Sequence, residues 1–367
     1  MRKEILSKIK NLVIKIGTSI LTTDGIIDYK KIEKIAEEVN FLLDKGMKVC
    51  LVSSGAISSG MSILGMKTRP KNLPQLQATA AVGQRYLMDL YADAFHKYNR
   101  IVAQILLTQE DLKDRKRYLN ARNTIFTLLD KKIIPIINEN DTVAVEEIKF
   151  GDNDRLSALV SSLLNVDLLI ILSDVDGFMV NNKVVPQVNE ITADLEKWAY
   201  GTVKKEISVG GMFTKLEACK ICYRAGIPCI IANGNQSHIL EKIMIGEEVG
   251  TLFLPQKKRL ASKKQWMLFN LKPKGKIYLD RGAVDAILKK GKSLLAVGIV
   301  KIEGDFSEAD LVSLFDSETK KEIAQGITYY SAEELNRIKG LNTQEIEKVL
   351  GYKYYDEVIH RDNLVIL

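Results

Sequence analysis

Leu12-Val13-Ile14-Lys15-Ile16-Gly17-Thr18-Ser19, close to the start of the chain, is the stretch on which the fold turns. Residues 12–16 make a strand-sized apolar run, and Gly17 ends it in a turn. The turn has the makings of a phosphate cradle. Gly17 lets the backbone approach an anion closely, while Thr18 and Ser19 add hydroxyl donors to the backbone N–H groups. Lys15, two residues before the glycine, can point toward the same charge. Taken alone, these residues fit a tight turn with a surface lysine better.

Outward from this stretch, strand-like and helix-like segments alternate. Asp28 is placed to cap a helix in which Ile32, Ile35, Ala36 and Val39 recur at helical spacing until Gly46. Strands are predicted at 49–52, 101–107, 133–137, 168–172 and 227–232, and helices at 73–98, 156–164 and 212–224, the last closed by Gly226. This succession means an α/β fold with a mainly parallel sheet, in which ligands bind beyond the carboxyl ends of the strands. The pattern changes after Pro255. Short alternating runs at 276–279, 294–302, 310–315, 325–330 and 364–367, with helices at 283–290 and 332–339, read as a small, mostly antiparallel β domain. The expected division is a catalytic domain at 1–256, a basic linker at 257–272 and the β domain at 273–367.

The bulk composition narrows the function class. Over 367 residues, 46% are hydrophobic and 27% charged, the balance of a packed globular protein. No apolar run approaches the ~18 residues that span a bilayer, and no signal-peptide segment follows Met1. The expected location is cytoplasmic and no membrane partner is expected. The net charge of +7 invites a nucleic-acid reading, but its distribution argues against one. Eight basic residues and no acids fall within 257–276, whereas 277–367 carries 12 basic and 16 acidic residues. Cys219 and Cys222 share one face of a helical stretch, with no second pair or neighbouring histidine to complete a zinc set. His96, His238 and His360 are scattered.

Three polar clusters follow strands or open helices. Gly210-Gly211-Met212-Phe213-Thr214-Lys215 offers helix N-terminal N–H groups and a lysine one turn in, an anion site. Asn138 and Asp141 are followed by Gly151-Asp152-Asn153-Asp154 before a helix, where Asp152 or Asn153 would serve equally as an N-cap. Ser53-Ser54-Gly55-Ala56 supplies another oxyanion-friendly loop. Gly291-Lys292-Ser293 imitates the end of a P-loop, but Ala286 stands where its first glycine is required. No dinucleotide fingerprint and no protein-kinase His-Arg-Asp or Asp-Phe-Gly is present.

Together these motifs resemble the amino acid kinase family, and within it the branch that phosphorylates glutamate. The matching segments are Val13–Ser19, Val52–Ile57, Tyr118-Leu119-Asn120-Ala121-Arg122, Ile137-Asn138-Glu139-Asn140-Asp141, Gly151–Asp154 and Gly210–Lys215. Gly291-Lys292-Ser293-Leu294-Leu295 with Gly298-Ile299 resembles the PUA domain appended to many such chains. The resemblance implies an α/β/α sandwich around a mainly parallel sheet, followed by a small, mostly β PUA domain. It implies ATP and Mg²⁺ as cofactors and L-glutamate as acceptor. The product would be L-glutamyl 5-phosphate, the first intermediate of proline synthesis. Proline is the implied inhibitor, and a dimer or tetramer the implied assembly.

By the same resemblance, Lys15, Lys215 and Asp154 are the catalytic set, with Asp154 orienting the two lysines. Ser54, Asp141 and Asn153 bind glutamate, with Asn138 and Asp152 as further candidates. Lys15, Gly17, Ser173, Asp174, Gly210, Gly211, Met212 and Lys215 contact the nucleotide. Residues 115–122 would link the site to an oligomer contact. The competing readings are another member of the same family, such as a uridylate, carbamate or acetylglutamate kinase, and a PUA-containing RNA-binding protein.

Overall fold

The computed structural model describes residues 2–144, 153–181, 183–192, 195–198, 211–255, 271–353 and 355–367. It falls into two compact units, Met1–Leu260 and Ala261–Leu367. The expected linker, 257–272, lies almost wholly outside the described residues.

The first unit is built on an eight-stranded sheet. Its strands are β1 (Asn11–Ile16), β2 (Lys48–Ser53), β3 (Val102–Leu107), β4 (Ile134–Glu139), β5 (Leu168–Ser173), β6 (Gln187–Val188), β7 (Cys229–Asn233) and β8 (Thr251–Phe253). They lie in the order β6-β8-β7-β5-β1-β2-β4-β3. The six strands from β7 to β3 run parallel, and β8 pairs antiparallel to β7. β1 is central and buried from Leu12 to Ile16, as expected of a strand covered on both faces.

Strand alternation then decides where Lys15 goes. Leu12, Ile14 and Ile16 share one core with helices α1 (Tyr29–Asp44) and α3 (Leu73–His96). Lys15, with Val13, faces the other side. There the sheet is covered by α5 (Asn153–Leu164) and α6 (Met212–Ala225), which pack on one another and on β1, β5 and β7. The register is equally consequential. Ile16 pairs with Ser53 of β2 and Leu172 of β5, Val52 pairs with Ile137, and Ser173 pairs with Asn233. The segments that leave these strands therefore emerge side by side at the carboxyl edge.

Several element bounds differ from expectation, each for a tertiary reason. β4 runs on through Asn138 and Glu139 because Leu106 and Leu107 of β3 pair with them. β5 likewise includes Ser173, held by Asn233. α5 begins at Asn153, not at residue 156, so Asp154 lies in its first turn rather than ahead of it. A sixteen-residue helix, α4 (Arg115–Asp130), was not anticipated. It starts where the Asp114 side chain accepts from the Arg117 N–H, and Tyr118 and Ile125 are the buried residues among its described side chains, too sparse an apolar signal to stand out.

α2 (Ala56–Ile63) and α3 meet backbone to backbone. A Cβ on Gly83 would lie 1.9 Å from the Ala56 carbonyl, and one on Gly60 would lie 1.9 Å from that of Thr79. Only glycine at both positions permits this approach. It seats the start of α2 directly after Ser54, with Gly55 in the left-handed region (φ 110) at the N-cap.

The second unit has a five-stranded sheet of β9 (Gly275–Leu279), β10 (Ile299–Gly304), β11 (Leu311–Asp316), β12 (Glu322–Ile327) and β13 (Leu364–Ile366) in the order β10-β9-β11-β12-β13. All its pairings are antiparallel except β9 with β11. The strand expected over 294–302 starts only at Ile299, since Ala296–Gly298 turn in a 3₁₀ helix. Gly291, the false P-loop glycine, closes the helix Arg281–Lys290 in a left-handed cap (φ 58).

Candidate active site

At the carboxyl edge of the sheet two lysines converge on one carboxylate. Lys15 Nζ lies 2.6 Å from Asp154 Oδ1 and Lys215 Nζ lies 3.2 Å from Asp154 Oδ2. The Thr214 hydroxyl donates to the same Oδ2 at 2.7 Å. Asp154 is fully buried, and Lys15 and Lys215 are 5% and 4% exposed. Such a cluster is expensive to bury and holds together by mutual neutralisation. Burial alone would raise the Asp154 pKa, but the charges of Lys15 and Lys215 and the hydrogen bonds outweigh it and hold the carboxyl below its usual range. The Lys215 pKa is also lowered, but there burial wins. Burial lowers its pKa, the repulsion of Lys15 adds to this, and Asp154 with Asp174 opposes it.

With two ammonium groups and one carboxylate, the cluster has one positive charge left over to offer an anion. The space in front of it is kept open by Gly17. A Cβ there would stand 3.6 Å from Lys15 Nζ and 3.3 Å from the Leu172 carbonyl, filling the approach to the lysine. The Gly17 N–H is held by that carbonyl at 3.1 Å, so the turn is fixed to the end of β5. Beside it, the Ser173 hydroxyl donates to Asp174 at 3.0 Å. Gly211 is the N-cap of α6 and its side-chain-free backbone leads into Met212 and, one turn on, Lys215.

A second cluster is made of amides. Asn153 Nδ2 donates to Ser54 Oγ at 2.9 Å and to Asn138 Oδ1 at 3.0 Å, and lies 3.3 Å from the Ser53 carbonyl. Asn138 in turn donates to Gln84 Oε1 of α3 at 2.7 Å. Ser53 Oγ is 2.9 Å from the buried Tyr91 hydroxyl, which steadies the end of β2. Among the described residues, the buried Asn153 Oδ1 finds no hydrogen-bond donor. A buried acceptor left without a donor costs free energy and is relieved when a ligand donor arrives.

Among the described residues, no hydrogen bond or ion pair joins Asp141 to either cluster. Burial pushes its carboxyl up to about 6, against the pull of the Arg69 charge. Asp152 and Gly210 lie outside the described residues. The structure thus brings Lys15, Lys215 and Asp154 into one cluster and Ser54, Asn138 and Asn153 into another, joined through the adjacent residues Asn153 and Asp154. It also brings in residues that carried no assignment in the sequence: Thr214, which was quoted only as part of a motif, and Gln84, which no local pattern marks.

The four cysteines are all buried. Cys219 donates to Cys229 at 3.4 Å across α6 and β7, and burial pushes the thiols of Cys50, Cys219, Cys222 and Cys229 upward, the behaviour of packed apolar side chains.

The family model described as the amino acid kinase family matches residues 10–233, spanning both lysines, Asp154 and the amide cluster. The chain belongs to the amino acid kinase family. A second model, the PUA domain, matches residues 275–350 of this amino acid kinase. Its relatives include proteins named glutamate 5-kinase. The one from Thermoanaerobacter sp. is 49% identical over 364 residues, covering 97% of each chain. That from Caldanaerobacter subterraneus is 50% identical over the same span, and that from Syntrophotalea carbinolica 48% identical over the full length of both. Among solved structures, the UMP kinase from Bacillus anthracis is 18% identical with a TM-score of 0.43, over 67% of this chain and 96% of that one.

Proposed function

We propose that this amino acid kinase transfers the γ-phosphoryl group of ATP to the side-chain carboxylate of L-glutamate, giving L-glutamyl 5-phosphate and ADP, the first step of proline biosynthesis. The observation that carries the reading is the buried Lys15–Asp154–Lys215 cluster beside an amide cluster, in a chain half identical to relatives named for that activity.

The chemistry suits the residues. A side-chain carboxylate is already ionised at neutral pH, its reference pKa being ~4.3, so the acceptor needs no general base. What remains is to align donor and acceptor and to neutralise charge on the transferred group. Lys15 and Lys215 are assigned to the phosphoryl oxygens. Asp154 keeps both ammonium groups aimed into the site, with Thr214 fixing the carboxylate. Gly17, Ser173, Asp174, Gly211 and Met212 are assigned to the nucleotide, with Gly210 and Asp152 carried on family likeness alone. Asn153, through its unfilled Oδ1, and Ser54 and Asn138, which hold it, are assigned to glutamate, and Asp141 to its ammonium. A magnesium ion accompanying ATP binds chiefly to phosphate oxygens. Among the described residues no group of three His, Cys, Asp or Glu is placed to hold a metal, so no protein ligand set is assigned to it.

The reading extends to inhibition by proline at or overlapping the glutamate site, to a cytoplasmic homo-oligomer, and to catalysis by residues 1–256 with 273–367 as an appended PUA domain. No helix among the described residues is long and apolar enough to cross a membrane. The test is glutamate-dependent ADP release, with hydroxylamine trapping the acyl phosphate as a hydroxamate. ADP release with UMP, carbamate or N-acetylglutamate, and none with glutamate, would replace this reading with another member of the family.

A further inference from the structure

Helix α3 carries a polar seam that meets the ends of β2 and β4 and the turn after β4. Gln77, Gln84 and Tyr91 lie about two turns apart along it, and so share one face. Gln77 Nε2 donates to the Ala144 carbonyl at 3.2 Å, Gln84 Oε1 accepts from Asn138 Nδ2 at 2.7 Å, and the Tyr91 hydroxyl lies 2.9 Å from Ser53 Oγ. Gly83 presses α3 onto the start of α2, where a Cβ would lie 1.9 Å from the Ala56 carbonyl and 2.1 Å from the Gly60 nitrogen. The position of Gln84, the next residue, is therefore set by backbone and not by a yielding side chain.

The direction of donation along the amides is fixed by groups that cannot reverse. The Glu139 N–H donates to Asn138 Oδ1 at 2.8 Å, and a backbone N–H can only donate. Asn138 must therefore turn its Nδ2 toward Gln84, and Gln84 must answer with its oxygen. Asn153 is fixed likewise. Its Nδ2 donates to Asn138 Oδ1 and lies 3.3 Å from the Ser53 carbonyl, and both of these oxygens can only accept. Its Oδ1 is thereby turned away from them and finds no donor among the described residues. Ser54 Oγ accepts from Asn153, which leaves the hydroxyl hydrogen of Ser54 to be given to another group. The cluster thus offers a ligand one acceptor and one donor on neighbouring side chains.

We propose that Gln84 is a positioning residue for the acceptor amino acid: by accepting from Asn138 it holds the relay from Asn153 through Asn138 in the one direction that presents Asn153 Oδ1 and the Ser54 hydroxyl to the substrate. This rests on the glutamate reading above and deepens it. A zwitterionic amino acid supplies the complement, an ammonium donor and a carboxylate acceptor. Gln84 acts through Asn138 and need not touch the ligand. Without an acceptor at position 84, Asn138 Nδ2 becomes a buried donor with no partner, which is relieved only if Asn138 gives up the Glu139 N–H or Asn153. A donor at position 84 opposes the relay outright.

The test compares the full-length chain with Gln84→Met, Gln84→Glu and Gln84→Lys, side chains of similar length that offer almost no hydrogen bond, acceptors only and donors only. The KM for glutamate, the KM for ATP, kcat and the melting temperature are measured for each. Gln84→Met is expected to raise the KM for glutamate about tenfold, with kcat and the KM for ATP within about threefold. Gln84→Glu should recover most of that loss, and Gln84→Lys should deepen it to roughly a hundredfold. Simple attraction of the anionic acceptor would give the reverse order, since an ammonium group at position 84 would draw it in and a carboxylate would repel it. The reverse order, equal rises in all three variants, or no rise in any would overturn the proposal. So would a KM that follows the melting temperature rather than the hydrogen-bonding character of the side chain. An unmodified chain that releases no ADP with glutamate would instead overturn the reading on which it rests.

Discussion

Replacing Asp154 with asparagine keeps the shape of the side chain and removes the one charge that makes the lysine cluster tolerable. Asp154 is fully buried, and the Lys15 and Lys215 side chains are 6% and 5% exposed, so water cannot screen the change. The cluster would pass from one excess positive charge to two. Removing one partner of a buried pair typically costs about 3–5 kcal/mol. Lys215 is the group expected to yield, since burial and Lys15 already lower its pKa. A neutral Lys215 no longer stabilises the transferred phosphoryl group. The loss of one such preorganised interaction corresponds to about 10²–10³ in kcat.

Two measurements follow. Steady-state ADP release should show that fall in kcat. Thermal melting without nucleotide should drop by roughly 6–20 °C for a loss of this size in a domain of this length. ATP should then stabilise Asp154→Asn more than the parent, because the phosphates restore the missing negative charge between the lysines. A variant with kcat within threefold of the parent, or one whose melting deficit stays the same with saturating ATP, would refute the assignment of Asp154 as the carboxylate that holds both ammonium groups.

Lys215→Met should cut kcat by orders of magnitude while the chain remains folded, since Asp154 keeps Lys15 as its partner; circular dichroism and ADP release check the two halves. The acid limb of kcat/KM for glutamate should turn at about pH 6, because Asp141 gains a proton there and no longer attracts an ammonium group. The limb should vanish in Asp141→Asn and move to lower pH in kcat, where bound substrate keeps the carboxylate ionised. Gly83→Ala should lower stability by about 1–3 kcal/mol or more, as its Cβ meets the Ala56 carbonyl and Gly60 N–H, which belong to backbone and cannot turn aside. Thermal melting reads this loss, and a raised KM for glutamate would report the accompanying shift of Ser54.

The succession of strands and helices was legible in the sequence because the signals are local: the apolar run 12–16, the stop at Gly17, the cap at Asp28 and the close at Gly226. The site motifs were legible through family likeness, although Lys15-Ile16-Gly17 alone fits a surface turn. The helix Arg115–Asp130 was not legible, since among its described side chains only Tyr118 and Ile125 are buried. Nor were the roles of Thr214 and Gln84, whose partners Asp154 and Asn138 are far away along the chain and leave no periodic trace.

The order of elements, the mainly parallel sheet and the identity of the charged residues were thus determined by sequence alone. Tertiary structure decided that Lys15 faces α5 and α6 rather than the opposite core, and that the Ser54, Asn138 and Ser173 segments leave the sheet together. It also decided that Asp154 is buried between two lysines while Asn153 Oδ1 finds no donor among the described residues. The physical reason is that strand alternation and parallel register convert sequence positions into sides and heights. Neither can be read until it is known which strands are neighbours.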